Sequence, residues 1–286
     1  MALDVIDFPH IIMIGFIGVN AASVLYVLLA IRSVHAFSLP ETPAGGFQPA
    51  VTIMKPVCGM DADLYENLRS FCLQDYPRYQ IVYGVRDRDD AAIPAIRRLI
   101  AEFPRLDMEL VVNDNSLGSN LKVGNLDNMY AAAKHRFLVI ADSDTRVEPH
   151  YLSAVIAPFE GHDVGVVTCL YRGTAAGGLA SLLVCMLINE SFLPSVLVSA
   201  QIREVRFAMG ATMVVRRRLL DDMGGFKRLA DNIADDYLLG NLAGEYGYRV
   251  VLSGYVVENI VFEKNFPAML GHELRWARTI RSTEPV

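Results

Sequence analysis

Hydrophobic positions along the chain fall into two regimes. Residues 11–31, IIMIGFIGVNAASVLYVLLAI, run for 21 positions without a charged side chain. At about 1.5 Å per residue a helix of that length crosses the ~30 Å hydrocarbon core of a bilayer. The pattern therefore predicts an N-terminal transmembrane helix inside an anchor of residues 1–35. A cleaved signal peptide would have a shorter apolar core behind a basic stretch and would end in a cleavage site. Here Asp4 and Asp7 precede the run, and no Lys or Arg does. Arg32 and His35 follow it, and the tendency of basic residues to stay inside orients the C-terminal bulk towards the cytoplasm. Residues 36–49, with Pro40, Pro43, Gly45, Gly46 and Pro49, read as a linker.

From Ala50 the pattern becomes short apolar strands alternating with amphipathic stretches, which predicts an α/β domain over residues 50–286 with a mostly parallel sheet. The expected strands are 50–54, 80–85, 108–113, 136–141, 164–170, 207–215 and 249–254. Between them, residues 62–74 place Leu64, Leu68, Phe71 and Cys72 on one helical face, and 91–103 do the same with Ile93, Ile96, Leu99, Ile100 and Phe103. A second apolar concentration, 178–200, is interrupted by Asn189, Glu190 and Pro194. It predicts no second span but either a pair of core helices or a membrane-facing ledge where a lipid acceptor enters the active site.

Composition narrows the function classes. Hydrophobic residues make up 52% and charged residues 20%, which excludes a disordered chain. A net charge of -6, with no basic run longer than Arg216-Arg217-Arg218, argues against a nucleic-acid partner. The four cysteines (Cys58, Cys72, Cys169, Cys185) form no C-x-x-C pair and have no neighbouring histidines, so they read as reduced thiols rather than a zinc site.

In parallel sheets the chemistry collects beyond the carboxyl ends of the strands, and acids stand at those places. Asp87 closes the second expected strand, with Asp89 or Asp90 placed to cap the following helix. ADSDT puts Asp142 and Asp144 directly after a hydrophobic strand. Carboxylates at i and i+2 of an extended chain lie on the same side, where both can address one hard divalent cation. Asp235 and Asp236 open the segment ADDYLLG, and HELRWARTIR holds the single tryptophan, Trp276, beside Arg275.

Taken in order, these residues resemble the inverting glycosyltransferases that carry a D, D-x-D, D, (Q/R)-x-x-R-W pattern, and most of all their ceramide glucosyltransferase-like branch. The resemblance runs from about Val51 to Arg278. It includes VTIMKPVCGMDADLYENLRSF, QDYPRYQIVYGVRDRDDAA, SLGSNLKVGNLDNMYAAAKHRFLVIADSDTRV, MGATMVVRRRLLDDMGGF and ADDYLLG in the branch's order. The ending HELRWARTIRS is most similar to bacterial hopanoid-biosynthesis glycosyltransferases. The resemblance implies a GT-A type, Rossmann-like fold and residue roles within it. Lys55, Pro56 and Asp87 would line the nucleotide pocket, and Lys122 would lie near the donor. Asp142 and Asp144 would hold Mg2+ or Mn2+ against the donor diphosphate. Asp236 would be the base that takes the proton of the acceptor hydroxyl, with Asp235 raising its pKa by repulsion. Arg275 would pair with the departing diphosphate, and Trp276 would pack on a sugar or the acceptor. The motif's Gln or Arg is here His272, a donor whose charge depends on pH.

The implied protein is an enzyme of the inner membrane with its catalytic domain in the cytoplasm. It would move a sugar from a UDP-sugar to a lipid acceptor: UDP-N-acetylglucosamine to a hopanoid, or UDP-glucose to ceramide. Transfer to a polyisoprenyl phosphate or a polysaccharide, and non-catalytic nucleotide or lipid binding, are the other readings. Relatives of this kind continue into further hydrophobic segments beyond the last motif, whereas ten residues follow Trp276 here; the resemblance implies either a reduced anchor or further chain.

Overall fold

The computed structural model describes residues 8–37 and 46–283. The apolar run near the N-terminus forms one helix, α1 (Phe8–Ala36), and its Pro9–Ala36 stretch is long and apolar enough to cross a membrane by length and composition. Residues 38–45 of the expected linker lie outside the described residues.

The domain then alternates β1 (Val51–Pro56), α2 (Leu64–Cys72), β2 (Tyr79–Val85), α3 (Ile93–Glu102), β3 (Asp107–Val112), α4 (Leu121–Tyr130) and β4 (Phe137–Ala141). After these come β5 (Thr145–Arg146), α5 (Tyr151–Ile156), β6 (Val164–Ala175), α6 (Leu179–Leu187), α7 (Leu193–Ile202), β7 (Thr212–Arg216), α8 (Arg217–Asp222), α9 (Asp235–Glu245), β8 (Arg249–Val261) and α10 (Phe266–Thr283). One sheet runs in the order β3-β2-β1-β4-β7-β6-β8-β5. Strands β3, β2, β1 and β4 pair in parallel, as do β6 and β8, while β7 and β5 run against their neighbours.

Helices cover both faces, which is why the central strands read as continuous apolar runs rather than alternating ones. All six residues of β1 and all five of β4 are buried. Along β4, Phe137, Val139 and Ala141 face the layer of α2, α3 and α5, while Leu138 and Ile140 face α4, α8 and α9. The Leu64, Leu68, Phe71 and Cys72 face of α2 is buried as its spacing predicts.

Three expectations are corrected by the fold. The strand expected over 207–215 begins only at Thr212. Residues 207–211 form a loop instead, held by Met209 N–H on Thr168 Oγ1 at 2.8 Å and by Asp142 N–H on the Ala211 carbonyl at 3.1 Å. Strands β6 and β8 reach well past residues 170 and 254, because they pair with each other as far as Ala175 and Val261. Finally, 178–200 does not separate into two helices. Helix α6 passes through a π-turn (Ile188–Phe192) directly into α7, and Leu179–Ile202 is a second stretch long and apolar enough to cross a membrane, with a third of its most apolar window buried.

The polar residues that suggested a break explain the continuity. The Asn189 side chain accepts from Gly173 N–H at 2.8 Å and donates to Gly173 C=O at 3.1 Å, standing in for a neighbouring strand. Pro194 follows directly on the π-turn, where the regular i to i+4 ladder is already interrupted and a missing N–H is tolerated. Helix α1 packs along α7, with Tyr26 Oη and Ser195 Oγ 2.8 Å apart.

Candidate active site

The acid turn after β4 is built from its backbone outward. The Asp142 carbonyl receives Thr145 Oγ1 at 2.6 Å and Lys55 Nζ at 2.5 Å, and Asp142 N–H is held by Ala211. On the other side, β5 pairs antiparallel with β8, and Ile260 N–H donates to the Asp144 carbonyl at 2.8 Å. Both peptide ends of the D-x-D turn are thus fixed before any ligand arrives. The Asn259 side chain hydrogen-bonds the Asp144 carboxylate, while Asp144 Oδ1 is buried without a hydrogen-bond partner.

Two further elements converge on this turn. Asn120 caps α4 by accepting from Val123 N–H at 3.1 Å, and its amide donates to Asp235 Oδ1 at 3.1 Å. The first turn of α4 so placed brings Lys122 Nζ to 2.5 Å from Asp142 Oδ1. Asp235 and Asp236 occupy the first turn of α9, where the helix dipole favours acids. Asp236 Oδ1 accepts its neighbour's N–H, from Tyr237, at 2.8 Å. Gly210 is the close approach that makes room: a Cβ there would lie 3.0 Å from Asp236 Oδ2 and 3.6 Å from Lys122 Nζ.

These groups share a cavity of about 640 Å³. Lys122, Asp142, Asp144, Asp235 and Asp236 line its polar end. Tyr171, Val184, Ile188 and Phe192 from β6, α6 and the π-turn make an apolar flank, and His272, Arg275 and Trp276 of α10 close the remaining side. Lys55, Pro56 and Asp87 do not line this cavity. Lys55 is fully buried beneath the acid turn, with its ammonium 3.8 Å from the centre of the Phe71 ring. Pro56 is buried at the carboxyl end of β1, in register with Gly84 of β2. Asp87 is exposed just past the end of β2, accepting Asp89 N–H at 2.9 Å. Neither acid expected to cap α3 is its N-cap, which is Ala92; Asp90 accepts the Ala92 N–H at 2.8 Å and also Gly59 N–H at 2.9 Å in the turn before it.

Burial dominates the electrostatics. It pushes Asp144 up to about 6, with repulsion from Asp142 adding to it and the Asn259 hydrogen bond opposing. Asp236 is raised by burial and then by Asp235, against the pull of Lys122. Asp235 is raised by burial, again opposed by Lys122. Burial pulls Lys55 down to about 7 despite the nearby acids. In Lys122 burial also acts downward, but Asp142, Asp235 and Asp236 together hold it above the usual lysine range.

Among the described residues no group of three or more His, Cys, Asp or Glu side chains stands together as a ready metal cage. Two carboxylates on one pinned turn, one with a buried oxygen lacking a partner, nevertheless fit a hard cation that takes its other ligands from phosphate and water. Asp142 and Asp144 are the residues that could hold it, with Lys122 neutralising Asp142 otherwise.

Several residues of the site carried no motif, Asn259, Glu263 and Tyr171 among them, and Gly210 lay inside the MGATMVV segment without a role of its own. Asn259 and Glu263 lie on or just after the part of β8 that the hydrophobic pattern did not extend to. A longer reading of VVENIVF as a strand is the only signal that could have found them.

A model of Glycosyl transferase family 21 matches residues 15–286. The chain is similar to ceramide glucosyltransferase 3 of Caenorhabditis elegans, 23% identical over 248 residues that cover 80% of this chain and 50% of that protein. It is also similar to ceramide glucosyltransferase of Candida albicans, 31% identical over 135 residues, 43% of this chain and 25% of that one. The chain spans about half the length of the first curated relatives it matches. Among solved structures, the mannosyltransferase PcManGT from Pyrobaculum calidifontis, in complex with GDP-Man and Mn2+, superposes with a TM-score of 0.64 at 22% identity, covering 93% of this chain and 74% of that one. S. aureus TarS in complex with UDP gives 0.51 at 19% identity, covering 74% and 60%. The fold is therefore that of the GT-A glycosyltransferases.

Proposed function

Because this chain belongs to glycosyl transferase family 21, we propose that it transfers a sugar from a nucleoside-diphosphate sugar to the hydroxyl of a membrane lipid, with inversion at the anomeric carbon. The observation that carries this reading is the convergence of the Asp142–Asp144 turn, the Asp235–Asp236 helix start and the apolar flank of α6 on one cavity.

The donor diphosphate belongs at the Asp142 end, beside the charge of Lys122. Mg2+ or Mn2+ held by Asp142 and Asp144 would neutralise charge gathering on the departing diphosphate. Pro56 and Asp87, at the carboxyl ends of neighbouring strands β1 and β2, would lie on the nucleoside side. Lys55 acts on the site through the Asp142 backbone.

Asp236 is the general base. Burial and the Asp235 charge raise its proton affinity, which suits a carboxylate that must accept a proton as attack proceeds. Its Oδ1 already holds Tyr237 N–H, which leaves Oδ2 for the acceptor hydroxyl. That oxygen forms its bond to the anomeric carbon as the bond to diphosphate breaks on the opposite face. Arg275 offers a guanidinium to the leaving oxygens, and Trp276 an aromatic face to sugar or acceptor.

The similarity to ceramide glucosyltransferases supports UDP-glucose and a ceramide-like alcohol. The ending HELRWARTIRS supports UDP-N-acetylglucosamine and a hopanoid alcohol. Helix α1 and the Leu179–Ile202 stretch support a place at a membrane, the cell's inner membrane in this reading, and Arg32 and His35 after the apolar run support a cytoplasmic catalytic side.

The test is to incubate membranes containing the chain with each labelled UDP-sugar and Mg2+ or Mn2+ and to identify the glycolipid by mass spectrometry. Glycolipid should form with the wild type and fall by about three orders of magnitude in Asp236→Asn and in Asp144→Asn. Undiminished transfer in both variants would refute the mechanism, and UDP binding without any glycolipid would point to a non-catalytic binding protein.

A further inference from the structure

Helix α10 lines the cavity with His272, Arg275, Trp276 and Thr279, yet none of its 18 residues is buried. A surface helix is ordinarily held by an apolar stripe sunk into the core. Here a short chain of contacts does the holding. Glu263, in the turn after β8, is tied to α6 by its N–H, which donates to Ser181 Oγ at 2.8 Å. Its carboxylate Oε1 meets His272 Nδ1 at 2.7 Å. The His272 and Trp276 rings stand edge to face with centroids 6.3 Å apart. Trp276 tilts against Phe192 of the π-turn at 5.6 Å, and Phe192 against Tyr171 at 5.0 Å. The Glu263 side chain is 9% exposed and the imidazole 37%, so the pair joins the protein interior to the cavity wall.

An ionised carboxylate has no hydrogen to give, so His272 Nδ1 must carry the proton. The neutral imidazole is thereby committed to one tautomer, with the lone pair of Nε2 as its acceptor. We propose that Glu263 is a positioning residue for the acceptor side of the site. It fixes the tautomer and tilt of His272 and, through it, the place of Trp276. His272 then takes a hydrogen bond from a hydroxyl or amide on the polar head of the acceptor, beside the reacting hydroxyl. The inference rests on the glycosyl-transfer reading and deepens it by asking for a polar lipid head with a second hydrogen-bond donor.

Trp276 is the chain's single tryptophan, so its fluorescence reports this geometry without a label. The experiment uses the full chain in phosphatidylcholine vesicles, with a short-chain ceramide and a hopanoid alcohol as acceptor probes. Glu263→Ala and His272→Ala should each raise the acrylamide quenching of Trp276. Each should also lower kcat/KM for the acceptor about tenfold, mainly through KM, as expected for one lost hydrogen bond to the acceptor. Affinity for UDP with Mn2+ should stay at the wild-type level, and the double variant should be no worse than either single one. His272→Arg, which can still pair with a carboxylate, should restore low quenching when Glu263 is present and fail to do so beside Glu263→Ala. Additive losses, or wild-type quenching and acceptor KM in both single variants, overturn the pairing. A wild type that binds UDP but forms no glycolipid overturns the transfer reading instead, and the quenching series then decides the pairing alone.

Discussion

Lys55 occupies a strand whose neighbours are all buried, and its ammonium is turned onto the Asp142 carbonyl and the Phe71 ring. Its motif resemblance pointed to the nucleotide, but the side chain reaches the site through the backbone of the acid turn. Burial lowers its folded pKa to about 7 from an ordinary 10.5. The unfolded chain therefore holds the proton more tightly, and the cost to stability is full below pH 7 and fades as pH rises towards 10.5. Lys55→Met should remove a pH-dependent term of at most about 5 kcal/mol. The expected result is that the thermal midpoint of the detergent-solubilised wild type rises relative to the variant between pH 7 and 10, while at any pH the variant loses transfer. Gly210 belongs to the same scale. Gly210→Ala would push a Cβ against Asp236 Oδ2, so kcat should fall about tenfold through displacement of the proposed base, with the far-UV circular dichroism unchanged. The acids were legible because each follows a hydrophobic strand or opens a helix. Gly210 was not, since a glycine shows its role only when the group facing it is known.

The π-turn between α6 and α7 shows how polar residues are read differently once an element has neighbours. In isolation Asn189 and Pro194 look like breakers of an apolar run. In the fold Asn189 pairs with both backbone groups of Gly173, at a level where β6 has left β7 behind. Asn189→Ala would leave that N–H and C=O without partners, at a cost of about 1–3 kcal/mol. Hydrogen exchange at the Gly173 amide should accelerate accordingly, and unchanged protection there would contradict this account. The central strands were legible because two-sided burial leaves a continuous apolar signature. The outer reaches of β6 and β8 were missed because Tyr171–Ala175 and Tyr255–Val261 mix polar and apolar residues and are held as strands by pairing with each other.

For the molecule as a whole, α1 packs on α7, and α7 is continuous with the cavity flank of α6. The apolar surface thus extends from α1 to the site, with Leu179, Leu182 and Met186 exposed along α6. Removing residues 1–37 should therefore not release the catalytic domain into the soluble fraction; it should remain membrane-bound until detergent is added, as cell fractionation would report. The amino-acid order by itself determined the apolar helix, the parallel core strands and the acids at their ends, because these depend on local periodicity and on the polarity of short segments. Only the tertiary structure decided that Lys55 lies under the acid turn, that Lys122 pairs with Asp142, that Asn259 reaches Asp144, and that Glu263 holds His272. Each of those joins residues far apart in the chain or on different elements, and such pairs are chosen by strand order and packing, which no local pattern encodes.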